Sequence, residues 1–237
     1  MLLEAVAKGA AAQLAGLLSV KRRAAIITHY NPDGDAIGSG LGLMHLLRAA
    51  GHQATVLLPN AAPEFLHWMP GYGQAIPFDR RRDDCLHELR AAEVVFCLDF
   101  NRRDRAGGLE QPLRDAPVPT VLIDHHQDPE PFASIAFSDP AACATSELVC
   151  GIAFALGWRD LMGVDAATCL YAGLVTDSGS FRFSSTTPGT LRLAADLMAL
   201  GVPFTEVHER IMDDNRPQRL RLLGFTLSER MEVLPEL

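Results

Sequence analysis

The chain has 237 residues, 48% of them hydrophobic and 21% charged, and a net charge of −8 at pH 7. This length suffices for one large domain with a buried core. The acidic balance argues against binding to duplex DNA, which favours a broad basic face. The N-terminal stretch lacks the pattern of a secretory signal, and the longest apolar windows are too short to span a bilayer, so we expect a cytoplasmic protein without membrane contacts.

The first predicted elements are two helices on either side of a strand. Apolar positions at helical spacing predict a helix over residues 2–18. The short apolar run 24–28 predicts a buried strand, and the following amphipathic pattern predicts a helix over 37–50 that Gly51 ends.

The turn between this strand and the second helix holds three metal-binding side chains. His29, Asp33 and Asp35 are spaced four and then two apart. Crowded carboxylates repel each other and lose hydration unless a positive charge lies between them. The turn therefore indicates a divalent cation, although Asp35 alone could instead cap the helix.

Further apolar runs predict more buried strands over residues 54–58, 93–100 and 119–126. The connection 59–73 is predicted to contain one helical turn, and the charge run 80–84 opens a short helix. Strands that alternate with helices predict an α/β fold with a doubly wound, mostly parallel sheet and helices on both faces. Ligands of such sheets gather outside the carboxyl ends of the strands.

More Asp and His residues follow the later elements: Asp99 after one strand, Asp124, His125 and His126 after the next, and Asp177 after an apolar stretch. That stretch, 166–175, has helical periodicity, so we predict a helix that ends at the site. Asp99 alone could be a cap, but four segments that bring Asp or His to one edge predict a metal centre.

Four motifs, HYNPDGDAIGSG, CLDFN, IDHH and TDSGSFRFSST, resemble in order the signature motifs of the DHH phosphoesterase superfamily. The resemblance extends from about residue 24 to about residue 225. The segments THYNPDGDAIGSGLGL, LLPNAAPEFLHWMPG and CLDFNRRDR are most similar to the bacterial branch of bifunctional oligoribonucleases and 3′-phosphoadenosine 5′-phosphate phosphatases (nanoRNase A). The resemblance implies a hydrolase that degrades very short RNAs, dinucleotides especially, and dephosphorylates phosphoadenosine phosphate.

The resemblance also implies two metal ions with a shared ligand. It assigns His29, Asp33 and Asp99 to the first ion and Asp35, Asp99, His125 and Asp177 to the second. Carboxylate-rich sites with a minority of imidazole suit Mn²⁺, with Mg²⁺ as the alternative. Two such ions activate the attacking water and stabilise the attacking and leaving oxygens at phosphorus.

Two residues of the DHH motif are expected to act beside the ligands. Asp124 would orient a histidine, although a capping role is the alternative. His126 would reach the scissile phosphate, where it stabilises charge or protonates the leaving oxygen. His125 and His126 are adjacent at a strand end, so from the residues alone their roles could be exchanged.

Arginines near the site are candidate phosphate clamps because a guanidinium binds phosphate oxygens bidentately. At least one of four arginines is expected to face solvent or pair with Asp104: Arg102, Arg103, Arg105 and Arg182. Arg105 is preferred because an arginine there fits the family pattern, as does Asn101.

Three further assignments concern the glycine-rich helix start and the segment after Asp177. Ser39 and the backbone amides of residues 38–40 could bind an anion. An equally good interpretation is that the glycines of this segment allow tight helix packing. Arg182 is a second candidate phosphate clamp. Phe181 and Phe183 alternate as buried strand residues do, and base stacking is the second interpretation.

The C-terminal part is expected to connect domains. We predict a DHH catalytic core over 1–188, in which Ser178 replaces a usual threonine, and helices over 189–237 that lead to a DHHA1 domain. The sequence stops where the resemblance places that domain, so we expect a truncated chain, with a stand-alone catalytic domain as the alternative. Without it, substrate-binding energy and hence activity are expected to fall.

Two other function classes stay open at this point. One is an inorganic pyrophosphatase or cyclic-dinucleotide phosphodiesterase of the same superfamily, and the other is a non-catalytic nucleotide-binding module. The expected partner is short single-stranded RNA or a nucleoside bisphosphate, and a homodimer is left open. The remaining histidines, among them His208, are predicted to be packing or surface residues. The odd set of five cysteines predicts buried thiols rather than disulfides or a zinc site.

Overall fold

The computed structural model describes residues 8–213 and 217–233. Its strands are β1 Arg23–Ile27, β2 Gln53–Leu58, β3 Ile76–Pro77, β4 Val94–Leu98, β5 Thr120–Asp124 and β6 Ile135–Ser138. Its helices are α1 Lys8–Leu17, α2 Gly34–Ala49, α3 Arg82–Ala91, α4 Glu110–Asp115, α5 Thr145–Ala155, α6 Val164–Asp177, α7 Pro188–Ala199, α8 Phe204–Met212 and α9 Pro217–Glu229.

The six strands form one parallel sheet in the order β3-β2-β1-β4-β5-β6. The chain builds outward from β1 to β3, returns to the other side of β1, and then builds outward from β4 to β6. The crossovers thus reverse direction between β1 and β4, which opens a crevice outside their carboxyl ends. The predicted doubly wound α/β fold is confirmed.

Both faces of the sheet are covered, which explains why its strands are continuously apolar. Ala24 and Ile26 of β1 pack into a core with residues of α1, α2, α5, α6 and α7. Ala25 and Ile27 point to the opposite face and pack with residues of α3 and α4. Successive side chains of a strand alternate between faces, so one short run serves two cores.

Helices α2 and α6 cross closely because glycines line their contact. A Cβ added at Gly38 would lie 2.9 Å from the backbone nitrogen of Gly173, and one at Gly42 would lie 2.6 Å from Leu170 Cγ. At the end of this contact Gly34 lies against Thr176. The start of α2 and the end of α6 therefore meet at the same edge of the sheet.

The segment after α6 is a turn, so the strand-like interpretation of Phe181 and Phe183 is wrong. Gly179, Ser180 and Phe181 have φ of 56°, 62° and 62°, three consecutive left-handed residues. Phe181 packs against the main core, whereas Phe183 is 58% exposed. Base stacking by Phe183 stays a prediction.

Two of the helices beyond residue 188 pack against the main core. Leu193 and Leu197 of α7 and Val207 of α8 are buried in the main core, whereas α9 has no buried residue. The predicted end of the domain core at residue 188 therefore lies before two helices, α7 and α8, that contribute to the same hydrophobic core. Parts of the predicted helical regions, 2–7, 214–216 and 234–237, lie outside the described residues.

All five cysteines are buried free thiols, as predicted. None of the helices within 8–213 and 217–233 combines the length and the apolar character needed to cross a membrane.

Candidate metal centre

Strand register brings the first site residues level with each other. Ile27 of β1 pairs with Cys97 of β4, and His29 and Asp99 each follow two residues later. The Nε2 atom of His29 lies 3.5 Å from Oδ2 of Asp99. Asp99 has φ of 65°, a left-handed conformation that aspartate adopts more readily than most residues.

Asp33, not Asp35, caps α2. Its Oδ1 accepts hydrogen bonds from the backbone amides of Asp35 (3.1 Å) and Ala36 (3.0 Å). The helix consequently begins at Gly34 rather than at the predicted residue 37. The same Oδ1 lies 3.8 Å from Nε2 of His29, so Asp33, His29 and Asp99 form one group of potential metal ligands.

A second group forms around His125. Its Nε2 lies 3.2 Å from Oδ2 of Asp177 and 3.5 Å from Oδ1 of Asp99. Asp35, His125 and Asp177 have ligand atoms that all lie within 4.8 Å of one another. Asp99 faces both groups, through Oδ2 toward His29 and through Oδ1 toward His125. The bridging role implied by the resemblance stays a prediction.

The tautomers of both histidines fit metal ligation. His29 Nδ1 lies 2.9 Å from the carbonyl oxygen of Tyr30, and His125 Nδ1 lies 3.3 Å from that of Ala142. A carbonyl can only accept, so in each ring Nδ1 carries the hydrogen and Nε2 faces the carboxylates. Orientation by a backbone carbonyl is common among metal-ligating histidines.

The N-terminus of α5 completes the surroundings of Asp35, a role that the sequence interpretation missed. Backbone amides of Thr145 and Ser146 donate to the two oxygens of Asp35 at 2.6 and 3.0 Å. The Thr145 hydroxyl donates to Oδ1 of Asp99 at 2.9 Å. The segment ATSE, a Ser/Thr pair before Glu147 and an apolar run, is a helix-start pattern that could have indicated this.

Electrostatics show that the cluster needs positive charge. Burial lowers the pKa of His29, but Asp33 and Asp99 outweigh it and raise the pKa to about 10. Burial likewise opposes protonation of His125, yet Asp177, Asp35 and Asp99 raise its pKa to about 10. The two imidazoles hold protons where cations would otherwise balance the carboxylates.

The carboxylates show the same need. Burial, with the charges of Asp99 and Asp177, raises the pKa of Asp35 well above its usual range. Burial also raises the pKa of Asp177, as does the charge of Asp99. Within the described ranges, the ion pairs of these aspartates are all with histidines and none with Lys or Arg. Oxygen and imidazole donors of this composition fit hard divalent cations.

His126 and Asp124 form a pair beside the two groups. Asp124 is fully buried and its Oδ1 lies 2.7 Å from Nδ1 of His126, so Nδ1–H donates and the ring's Nε2 is left free. His126 also forms a group of potential ligands with Asp99 and His125. Its Nδ1 is engaged by Asp124, whereas His125 directs Nε2 at two carboxylates, which supports His125 as the ligand of the two.

The arginines after β4 differ in their partners. Arg102 pairs with Asp104 at 3.1 Å and Arg103 pairs with Glu130 at 2.5 Å. The Arg105 guanidinium has no hydrogen-bond or ion-pair partner among the residues that the structure describes. Arg105 is thus the member of this set that is left available to an anion.

The other predicted substrate residues lie in different surroundings. Asn101 donates from Nδ2 to the carbonyl of Gln127 at 2.6 Å, which ties the ends of β4 and β5 together. Arg182 is exposed and donates from Nε to the carbonyl of Gly179 at 2.7 Å. Ser39 is fully buried inside α2 and its hydroxyl faces the carbonyl of Ala36, so the structure does not bring it to the site opening. The neighbouring glycines serve helix packing, the alternative given above.

Comparison with known proteins adds a family and close relatives. The family model described as "DHH family, N-terminal domain" matches residues 23–174. The bifunctional oligoribonuclease and PAP phosphatase NrnA of Thermus thermophilus is 34% identical over 207 residues, covering 86% of this chain and 57% of that protein. The protein of the same name from Bacillus subtilis is 25% identical over 203 residues, covering 83% of this chain and 59% of that protein.

One solved structure is similar over nearly the whole chain. The crystal structure of an exopolyphosphatase-related protein from Bacteroides fragilis has a TM-score of 0.94 and 32% sequence identity. The match covers 98% of this chain and 68% of that one. The chain spans less than two thirds of the length of the two curated relatives named above.

Proposed function

Since the chain belongs to the DHH family, we propose that it performs two-metal phosphoester hydrolysis on short oligoribonucleotides, above all dinucleotides, and on 3′-phosphoadenosine 5′-phosphate. The names of relatives from two bacteria support this substrate class. The metal-binding groups at the switch point of the sheet support the chemistry. The substrate would be bound in the crevice outside β1 and β4.

Two divalent cations, preferably Mn²⁺, would be held by the residues of the two groups. His29, Asp33 and Asp99 would hold one ion, and Asp35, Asp99, His125 and Asp177 the other. When bound, such ions supply an activated water and stabilise the attacking and leaving oxygens at phosphorus. Their charge also overcomes the repulsion between an acidic protein and an anionic substrate.

The chain's own residues position and protonate the substrate. Asp124 holds the Nδ1–H of His126, so Nε2 is the nitrogen that can bind the scissile phosphate or give a proton to the leaving oxygen. Arg105, which has no protein partner among the described residues, would bind the phosphate oxygens that the cations do not. Arg182, in the turn after Asp177, would supply a second positive charge at the opening.

A single observation carries the proposal: Asp and His residues from four distant segments form overlapping groups of potential metal ligands that are linked through Asp99 and His125. The test is a substrate panel with Mn²⁺, comprising a 5′-phosphorylated diadenylate, 3′-phosphoadenosine 5′-phosphate and inorganic pyrophosphate. We expect hydrolysis of the first two and not of pyrophosphate.

A matched pair of variants shows whether Asp99 is responsible. Asp99→Asn should abolish hydrolysis and weaken Mn²⁺ binding, because it removes the carboxylate that both groups share. Asp84→Asn changes a surface aspartate that pairs with Arg81 and should leave both unchanged. Hydrolysis by Asp99→Asn at the rate of the unchanged protein, or preference for pyrophosphate, would overturn the proposal.

A further inference from the structure

Two exposed aromatic side chains lie within a few residues of the proposed metal ligands in the sequence. Tyr30 follows His29, and its side chain is 53% exposed. Phe183 lies in the turn after Asp177 and is 58% exposed. Single exposed aromatics are ordinary on protein surfaces, so their exposure alone assigns no role. They differ from the exposed side chains of α8 and α9 in that each ring packs against the backbone of a glycine.

The ring of Tyr30 rests on a glycine. Gly107 has φ of +53°, and a Cβ added there would lie 3.0 Å from Cδ2 of Tyr30. The backbone of Tyr30 is fixed on both sides, since its amide donates to the carbonyl of Arg105 at 2.6 Å and its carbonyl accepts from His29. The loop that carries Arg105 and the ring of Tyr30 are therefore joined beside a metal ligand.

The ring of Phe183 rests on a glycine in the same manner. Gly179 has φ of +56°, and a Cβ added there would collide with the Phe183 ring. The amide of Phe183 donates to the carbonyl of Ser178 at 2.9 Å. As with Tyr30, protein backbone covers one side of the ring, while more than half of the side chain remains exposed.

Side-chain hydrogen bonds hold the turn under Phe183 in its left-handed conformation. The Ser178 hydroxyl accepts from the amide of Phe181 at 2.8 Å. The Ser180 hydroxyl lies 3.1 Å from Nδ1 of His208, whose Nε2 lies 3.2 Å from the Tyr171 hydroxyl. The left-handed conformations of the non-glycine residues Ser180 and Phe181 are costly, so α8 stabilises a turn that local preferences alone would not form. The position of Phe183 is consequently fixed rather than left to a loose loop.

We propose that Tyr30 and Phe183 are stacking platforms for the two nucleobases on either side of the scissile phosphodiester. The inference deepens the proposed function and rests on it. A ring that is backed by protein and open to solvent on its other side can stack on any base, because every base has a π-face. One platform beside each metal group would favour a substrate with a base on both sides of the phosphate, which describes a dinucleotide.

Fluorescence of a modified dinucleotide tests the assignment without turnover. The probe is a dinucleotide with an uncleavable methylenephosphonate linkage and 2-aminopurine, whose emission is quenched by stacking, at either the 5′ or the 3′ position. In the Mn²⁺-loaded protein both probes should be quenched on binding. Tyr30→Ala should relieve the quenching of one probe and Phe183→Ala that of the other.

Affinity and turnover give a second readout. Loss of a base–aromatic contact should raise Kd for the probe and KM for diadenylate about 5- to 150-fold, from the usual 1–3 kcal/mol per stacked base. The conservative variants Tyr30→Phe and Phe183→Tyr should restore most of this loss. The control Phe204→Ala removes a 45% exposed aromatic of α8 and should not change binding.

The outcomes separate the two proposals. If the unchanged protein neither binds the probe nor cleaves diadenylate, the proposed function fails and stacking fails with it. If it does both, but Tyr30→Ala and Phe183→Ala behave like Phe204→Ala, only the stacking proposal is overturned. If one variant alone relieved the quenching of both probes, the assignment of one aromatic ring to each base would be contradicted.

Discussion

At the scale of single residues, the orientation of each histidine of the site is fixed by a neighbour outside the proposed sets of metal ligands. The carbonyls of Tyr30 and Ala142 set the tautomers of His29 and His125, and Asp124 sets that of His126. Such supporting contacts keep the donor atoms directed at one point before any cation binds.

The Asp124–His126 pair predicts a defect in turnover without loss of metal. Asp124→Asn can no longer accept from Nδ1–H as a carboxylate does, so kcat should fall about 10- to 100-fold while Mn²⁺ stoichiometry stays the same. Because both residues would act as one unit, the double variant Asp124→Asn/His126→Ala should lose no more than His126→Ala alone. Additive losses, or loss of bound Mn²⁺, would contradict the pairing.

Metal binding should release protons. With pKa values raised to about 10, His29 and His125 are protonated at pH 7 in the absence of cations, and a cation must displace the Nε2 proton of each. Mn²⁺ affinity should therefore rise with pH between 6 and 8, by about tenfold per unit for each proton released. Calorimetry in buffers of different ionisation enthalpy measures the release, and a binding enthalpy independent of the buffer would contradict the account.

At the scale of secondary structure, three helices meet around Asp35. It lies in the first turn of α2, accepts from the N-terminus of α5, and shares its group of ligands with Asp177 at the end of α6. The orphan amides of a helix start stabilise a carboxylate there. The site is thus assembled by helix packing as much as by the sheet.

Because α2 and α6 are in close contact, replacing a glycine by alanine should lower the stability of the protein at this contact but not at an open helix position. Gly38→Ala forces a Cβ against the backbone of α6, so the free energy of unfolding should fall by about 1–3 kcal/mol and Mn²⁺ binding should weaken. The control Gly16→Ala lies in α1 with no other atom within 4 Å of the new Cβ, and alanine favours a helix by up to about 1 kcal/mol. Thermal unfolding compares the two variants, and equal melting temperatures would contradict the role of Gly38 in helix packing.

Sequence reasoning succeeded where local pattern and position in the sheet agree. Strands buried on both faces are continuous apolar runs, and the residues after β1, β4 and β5 must meet at one edge of a parallel sheet. It missed the short strands β3 and β6. It also missed α5, whose segment TSELVCGIAFA is apolar on every side after its first three residues and lacks an amphipathic period. It could not place Phe183, because its environment depends on a left-handed turn held by His208 from a distant helix.

At the scale of the whole molecule, the reversal of strand order explains why the centre lies where it does. Crossovers leave in opposite directions from β1 and β4, so no connection covers the space between their carboxyl ends. An acidic chain of net charge −8 concentrates five aspartates there. In the proposed function, bound cations let such a crevice bind a phosphate ester.

The most direct test is the anomalous scattering of a crystal soaked in Mn²⁺, with diffraction recorded at the manganese edge. The account predicts two peaks, one between His29, Asp33 and Asp99 and one between Asp35, Asp99, His125 and Asp177, with Asp99 contacting both. A single peak, or peaks bound by other residues, would contradict it.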